Sequence, residues 1–249
     1  MSAAPPPVVL ITGAARRVGA EIARTLHAAG ATIVLHCHTS EAAAEALAAE
    51  LESCRKKSTL VRRYDLRDTA KLPQLIDEVL ATCGRLDALV NNASSFYATP
   101  VGQIGEGDWD DLMGSNLKGP LFLSQAAAPH LARFGGCIVN ITDVHAERPL
   151  KNYPLYCAAK AGLLGLTRAL ALELGPAVRV NAVAPGAIAW PEGGDDFPVA
   201  ERAAIIDHTL LKRIGSPADI ARTVKFLVFD APYVTGQVIN VDGGRTAHL

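Results

Sequence analysis

What this 249-residue chain lacks narrows the field first. It has no surplus of either charge: 24 Lys+Arg stand against 25 Asp+Glu, a formal net charge of −1. A nucleic-acid binder would carry a basic excess on one face, so no nucleic-acid partner is expected. No run of 18 consecutive apolar residues occurs, and no membrane partner is expected either. The start, MSAAPPP, has neither the basic nor the apolar block of a secretory leader. Five cysteines (Cys37, Cys54, Cys83, Cys137, Cys157) are odd in number, scattered, and never spaced C-x-x-C. That usage gives no disulfide framework and no zinc site, and it fits a reduced cytoplasm. No Gly/Ser/Pro-rich linker, charge block or repeat divides the chain, so one domain is expected over 1–249, with 1–7 an extended lead-in. What is present is a core-forming composition: 49% hydrophobic residues.

Strand and helix patterns alternate from end to end. VVLIT (8–12) is a short β-rich run, and GAEIARTLHAAG (19–30) spaces Ile22, Leu26 and Ala29 for a helix that Gly30 can cap. TIVLHC (32–37), an alanine-rich helix over 41–53, STLVRRY, a helix near 69–82 and DALVNNA (87–93) follow. A helix through NLKGPLFLSQAAAPHLARF, the strand GCIVNIT (136–142), a helix over 154–174, VRVNAVAP (178–185), a helix over 217–229 and QVINVDGG (237–244) complete the series. Several strands are continuous apolar runs, as a parallel sheet covered on both faces requires. The predicted fold is a single-domain, Rossmann-like α/β: a doubly wound parallel sheet with helices on both faces.

Such a sheet binds its ligand beyond the carboxyl ends of the strands. The first strand runs into TGAARRVG, where Gly13 allows a tight turn, Gly19 lets helix approach strand, and the helix N-terminus faces a pyrophosphate. The second strand ends LHCHTS, with no carboxylate before Glu41 to hold a ribose hydroxyl. His36, His38, Thr39 and Ser40, with Arg16 or Arg17, suit a 2′-phosphate instead, and the expected cofactor is NADPH. His36-x-His38 lacks a third ligand, so no metal is expected.

Tyr156 and Lys160 are four apart on a predicted helix and share a face. An ammonium beside a phenol favours the phenolate, which would bring a tyrosine of pKa about 10 toward acid–base work. Asn116 lies on an earlier helix, and Asp143 lies just past GCIVNIT, at the carboxyl edge where a ligand would sit. Asn116 has a structural reading too, kinking its helix or holding a water beside Lys160; Asp143 is also a residue type that caps turns.

TGAARRVG, NNAS (91–94), Asn116, Tyr156-x-x-x-Lys160, Pro185-Gly186 and VDGG (241–244) occur in the order of the short-chain dehydrogenase/reductase family, which the chain resembles over essentially its whole length. Three departures resemble the pteridine reductases within it: Arg17 where glycine is usual, Asp143 where the catalytic serine stands, and Phe96 in NNASSFYATP. LHCHTS is also similar, except that Thr39 stands where an arginine is usual. The resemblance implies that Val18, Asp65, Leu66, Asn92, Ala93, Ser94, Tyr156, Lys160, Pro185, Gly186 and Ile188 join the glycine turn in holding the dinucleotide. It implies a pterin or folate substrate bound by Arg17, Ser94, Phe96, Asp143, Tyr156 and Trp190, and a homotetramer. Phe96 would stack on the pterin, with a core aromatic as the other reading. Tyr156 would protonate a ring nitrogen, with Asp143 orienting it and relaying a second proton. A serine suits a ketone, whereas a carboxylate repels a developing alkoxide, so Asp143 favours an imine. Residues 187–208 correspond to a substrate lid in which Trp190 and Phe197 either line the pocket or pack the lid down; ERPLKNYP (147–154) is a further pocket wall, and Tyr97 and Tyr153 stay unassigned. The other readings are a 3-oxoacyl or carbonyl reductase and, in a different class, a catalytically dead nucleotide sensor.

Overall fold

A computed structural model describes residues 5–190 and 198–247. Strands β1 (Val8–Ile11), β2 (Thr32–Cys37), β3 (Thr59–Arg63), β4 (Ala88–Asn91), β5 (Cys137–Ile141), β6 (Arg179–Pro185) and β7 (Val238–Val241) form one sheet in the order β3-β2-β1-β4-β5-β6-β7. Every neighbouring pair is parallel. The chain leaves β1 toward β2 and β3, then returns to β4 on β1's other side. The order therefore reverses between β1 and β4, where a crevice opens at the carboxyl ends.

The apolar strand runs serve two cores at once. Val9 and Ile11 of β1, Ile33 and Leu35 of β2, and Val90 of β4 point into the cluster covered by helices α1 (Arg17–Ala28), α2 (Glu41–Cys54) and α8 (Pro217–Lys225). Val8, Leu10, Val34 and Leu89 point the other way, against α3 (Leu72–Cys83), α5 (Gly119–Leu131) and α6 (Pro154–Leu174). A period-2 chain must be apolar at every position when both faces are covered.

Two short helices were not anticipated. The first, α4 (Glu106–Met113), carries Gly107 and three aspartates and buries only Leu112, so it has no apolar stripe to recognise. Its start is held by Asp108 Oδ2, which accepts the Gly105 N–H at 2.9 Å. The second, α7 (Val199–Asp207), buries only Ile205 and falls inside the segment read as a lid; residues 191–197 of that segment, Phe197 included, lie outside the described residues. The helix expected over 217–229 leaves α geometry after Lys225 for a π turn, Phe226–Asp230. By length and composition α6, with a mean hydropathy of 1.3 over 18 residues, could cross a membrane. Half of that stretch is buried inside the protein and it carries Tyr156 and Lys160 to the crevice, the arrangement of a core helix.

Candidate active site

The crevice is a cleft of about 1020 Å³, running from the end of β2 past the glycine turn to β5 and α7. Of the residues expected at the site, all but Asn116 line it.

At the cofactor end the glycine turn is built by side chains that the sequence suggested for ligand contact. Gly13 sits at φ +61°, and a Cβ there would lie 2.9 Å from Ala93 Cα. Gly19 is tighter still: a Cβ would come within 2.2 Å of the Gly13 carbonyl oxygen. Asn92 donates its amide hydrogens to the carbonyls of Thr12 (2.8 Å) and Gly13 (3.1 Å), and Thr12 Oγ1 accepts the N–H groups of Asn92 and Ala93. Asn92 is thus a strut of the turn as well as a wall of the cleft. His36 corrects the expectation of a phosphate contact. It is fully buried, its Nε2 donates to the Tyr64 carbonyl at 3.1 Å, and its Nδ1 accepts the Gly13 N–H at 3.3 Å. A carbonyl accepts only, so this pairing fixes the neutral Nε2–H tautomer. Burial pulls its pKa down to about 4. Both ring nitrogens are spent on backbone, leaving nothing for a phosphate or a metal. Among the described residues no three His, Cys, Asp or Glu side chains gather around a metal-sized gap.

Past the turn, α1 begins at Arg17, two residues earlier than predicted, with Arg16 as its N-cap and no acidic residue in its first turn. Arg17 has φ +50°, which explains why glycine suits that position. Its guanidinium donates to the Ala189 carbonyl at 3.1 Å and to that of Trp190 at 3.5 Å, tying the glycine turn to the segment after β6. Asp65 is clamped by Arg67, which also reaches Asp111, and this hydrogen-bonding holds the Asp65 carboxyl down to about 2. His38, Thr39 and Ser40 close this end.

At the other end, Tyr156 Oη donates to Asp143 Oδ2 at 2.7 Å. The other oxygen, Asp143 Oδ1, accepts the His145 N–H at 2.8 Å and caps a short turn over Val144–Ala146, so capping and contact with Tyr156 coexist. Lys160 is fully buried; it donates to the Ile141 carbonyl at 2.9 Å and stands 5.7 Å from the centre of the Tyr156 ring. Burial lowers the Lys160 pKa to about 8, while Asp143 opposes the fall. The phenolate expected of Tyr156 is not what the geometry favours. Burial first, then the Asp143 charge and hydrogen bond, raise its pKa well above 10. Tyr156 is a protonated donor in this state.

Asn116 touches none of the reacting groups. It is fully buried in a π turn, Gly114–Lys118, that interrupts α geometry between α4 and α5. Its amide donates to the Ser95 and Leu112 carbonyls at 3.0 and 2.9 Å, and its Oδ1 accepts the Ser94 hydroxyl at 2.6 Å. Its side-chain hydrogen bonds run to Ser94, Ser95, Leu112 and Ser115 and not to Lys160, so it holds Ser94 and Ser95 in place. Phe96 opens onto the cleft, stacked on Tyr153 (centroids 4.7 Å, 15°) and edge-on to Tyr156 (4.8 Å, 81°). The previously unassigned Tyr153 therefore backs Phe96, which stays 37% exposed. Trp190 lines the cleft beneath the Arg202 guanidinium, 5.1 Å from its ring centre. Pro185, Gly186 and Ile188 follow β6 along the wall, and Val18, Leu66 and Ala93 complete it. Leu150 makes the ERPLKNYP segment a wall as well.

Sequence reasoning missed His145, Arg67, Asp111, Ser115, Glu201, Ile205 and Arg245 of the lining. His145 lies two residues after Asp143, Arg67 directly after Leu66 and Arg245 directly after VDGG, so each was within reach of a motif already read. Glu201 and Ile205 fall in the 187–208 segment, and Asp111 and Ser115 come from α4 and the turn after it, whose patterns carried no signal.

The cleft as built can take an extended dinucleotide along its glycine-turn half and a small ring beside Tyr156. A family model described as enoyl-(acyl carrier protein) reductase matches residues 13–246. A granaticin polyketide synthase protein of Streptomyces violaceoruber, named as a ketoacyl reductase, is 39% identical over 98% of this chain and 96% of its own. Pteridine reductase 1 of Leishmania tarentolae is 38% identical over 96% of both chains, and a 3-oxoacyl-(acyl-carrier-protein) reductase of Staphylococcus aureus 35% identical over 94% and 96%. With a parallel sheet, a glycine turn and a Tyr–Lys helix face in place, and with relatives matched nearly end to end, the chain belongs to the short-chain dehydrogenase/reductase family.

Proposed function

We propose that the protein is an NADPH-dependent reductase of dihydropterins, with dihydrofolate or oxidised pterin as further substrates, acting on a ring C=N bond. One observation carries the reading: the carboxylate of Asp143 holds the Tyr156 hydroxyl at 2.7 Å. The donor set supports the cofactor. An acid-free helix start behind Gly13 and Gly19 suits a pyrophosphate, and Arg16, His38, Thr39 and Ser40 suit a 2′-phosphate at an end with no ribose-holding carboxylate before Glu41. When bound, a reduced nicotinamide dinucleotide supplies a hydride. The remaining work belongs to the chain. Phe96 offers its ring to a flat bicycle, and Ser94, fixed by Asn116, offers a hydroxyl to its edge. Tyr156 holds its proton because burial and Asp143 disfavour the phenolate, so it reaches a ring nitrogen as an acid. The carboxylate then faces a phenol whose proton has left. Lys160, charged below about pH 8 and 5.7 Å from the ring centre, balances that charge. An ionised carboxylate beside a developing alkoxide would oppose ketone reduction, whereas nitrogen protonation develops no such anion.

The second reading, a 3-oxoacyl or carbonyl reductase, is favoured by the names of two of the relatives above. Following NADPH consumption with dihydrobiopterin, and separately with an acetoacetyl thioester, decides between them. Turnover of the pterin is expected; turnover of the thioester alone ends the pterin reading. A catalytically dead sensor predicts neither. The same proposal includes a cytoplasmic homotetramer whose partner is a small molecule rather than nucleic acid or membrane.

A further inference from the structure

We propose that Arg63, at the end of β3, supplies the cation for the cofactor's 2′-phosphate that the end of β2 lacks. The inference rests on the NADPH reading above and adds a residue from a different strand. The register of β2 on β3 pairs Cys37 with Arg63, so Arg63 stands beside the strand end that leads into His38, Thr39 and Ser40. Its Nε donates to the His38 carbonyl at 3.1 Å, which aims the guanidinium across that end. Nη1 lies 3.4 Å from Glu41 Oε2, and among the described residues Nη2 has no partner.

Two of the neighbouring arginines are already engaged, which leaves Arg63 and the cleft-lining Arg16. Arg67 is committed to Asp65 and Asp111, and Arg17 to the Ala189 carbonyl. His38 faces Asp65 at 3.7 Å. Beyond the His38 carbonyl, Arg63 meets Glu41 in a long pair whose side chains are 63% and 55% exposed. Such a pair contributes little in water and exchanges readily for a phosphate dianion, which a planar guanidinium meets with two parallel hydrogen bonds. The first backbone N–H groups of α2 and the hydroxyls of Thr39 and Ser40 complete the donor set; the Ser40 side chain does not cap that helix. Arg63 also neutralises Glu41, a nearby carboxylate that would repel a phosphate.

Calorimetric titration of the intact chain with 2′,5′-ADP and with 5′-AMP tests this without requiring turnover. The natural chain is expected to prefer 2′,5′-ADP. Arg63→Ala should weaken 2′,5′-ADP about tenfold or more, leave 5′-AMP within about twofold and keep the melting temperature. Arg63→Lys should retain part of the preference, and Glu41→Gln should tighten 2′,5′-ADP. If the natural chain prefers 2′,5′-ADP and Arg63→Ala keeps that preference, the assignment is wrong and Arg16 is the next cation to test. An equal loss of both fragments also overturns it, since Arg63 would then be supporting the wall. If the natural chain binds the two fragments alike, the NADPH reading itself fails, a result distinct from either.

Discussion

The two ends of the cleft are built on different terms. Around the glycine turn the polar side chains are bound to the protein's own backbone: His36 to Gly13 and Tyr64, Asn92 to Thr12 and Gly13, Arg17 to Ala189. What is left to meet a ligand there is main-chain N–H and, toward the end of β2, the side chains of Arg16, His38, Thr39 and Ser40. At the α6 end the polar side chains are bound to one another, Tyr156 to Asp143 and Ser94 to Asn116, with Lys160 buried behind. One end holds a shape and the other holds a proton. Substitutions at the first should therefore move stability or binding, and substitutions at the second should move the chemical step.

The sharpest way to break that contrast is Tyr156→Phe. It removes the one acidic proton aimed at the substrate and leaves the glycine turn untouched. A fall in kcat of about 10²–10⁴ is expected, with dinucleotide affinity held within a few-fold. Single-turnover rates beside a binding titration check it; an unchanged rate would make the α6 end a binding wall and favour the sensor reading.

Asp143→Ser comes next. It restores the hydroxyl usual in the family and lifts from Tyr156 both the charge and the hydrogen bond that hold its pKa up. Pterin turnover is expected to drop by about 10², and thioester turnover to rise from whatever the natural chain shows. The pH profile carries its own sign. Lys160 loses its charge as pH rises through about 8, so the natural enzyme's rate falls on that alkaline side. Asp143 props the Lys160 pKa up, so removing it moves the alkaline fall to lower pH. A fall that stays in place or moves upward contradicts this coupling.

His36 sharpens the comparison from the other end. Its folded pKa of about 4 lies below the unperturbed value near 6.5. Below pH 6.5 the unfolded chain takes up a proton that the folded chain refuses, so stability falls as pH drops from about 6.5 toward 4. The cost is of order 3 kcal/mol once the folded pKa is reached. Urea unfolding across that range should show the loss, and His36→Gln should flatten the dependence even where it lowers stability at neutral pH. The rate of the chemical step, measured with cofactor saturating, should change little.

This division also explains what the residue pattern revealed. Gly13 and Gly19 were legible because a turn that close to Ala93 and Asn92 admits no Cβ, and a missing side chain is visible in any sequence. Asp143, Tyr156 and Lys160 were legible through spacing: four residues on a helix, and the end of an apolar strand. Partnership was not legible. His36 in LHCHTS looks as free as His38, and only the fold shows one locked under the turn and the other 48% exposed. The direction of the Tyr156 shift was hidden for the same reason. Burial and the Asp143 contact set it, against a smaller opposing pull from the Ser94 hydroxyl, and neither can be read from an i, i+4 pair. The helices α4 and α7 escaped because each buries a single large residue, too little for periodicity to register.

The smallest effect expected is at Arg17, where the two ends of the cleft meet. Its backbone stands at φ +50°, a region that costs a residue with a Cβ roughly 1 kcal/mol relative to glycine. Arg17→Gly removes that strain and also removes the 3.1 Å bond to the Ala189 carbonyl, an exposed contact of similar or smaller size. The two nearly cancel, so the midpoint of thermal unfolding should shift by no more than a few degrees, upward if the strain is the larger. Substrate KM should rise several-fold, because Ala189 and Trp190 lose their tie to the turn, while kcat stays close to that of the natural chain. A large fall in kcat would show that the guanidinium serves the proton-handling end and that the cleft does not divide as drawn.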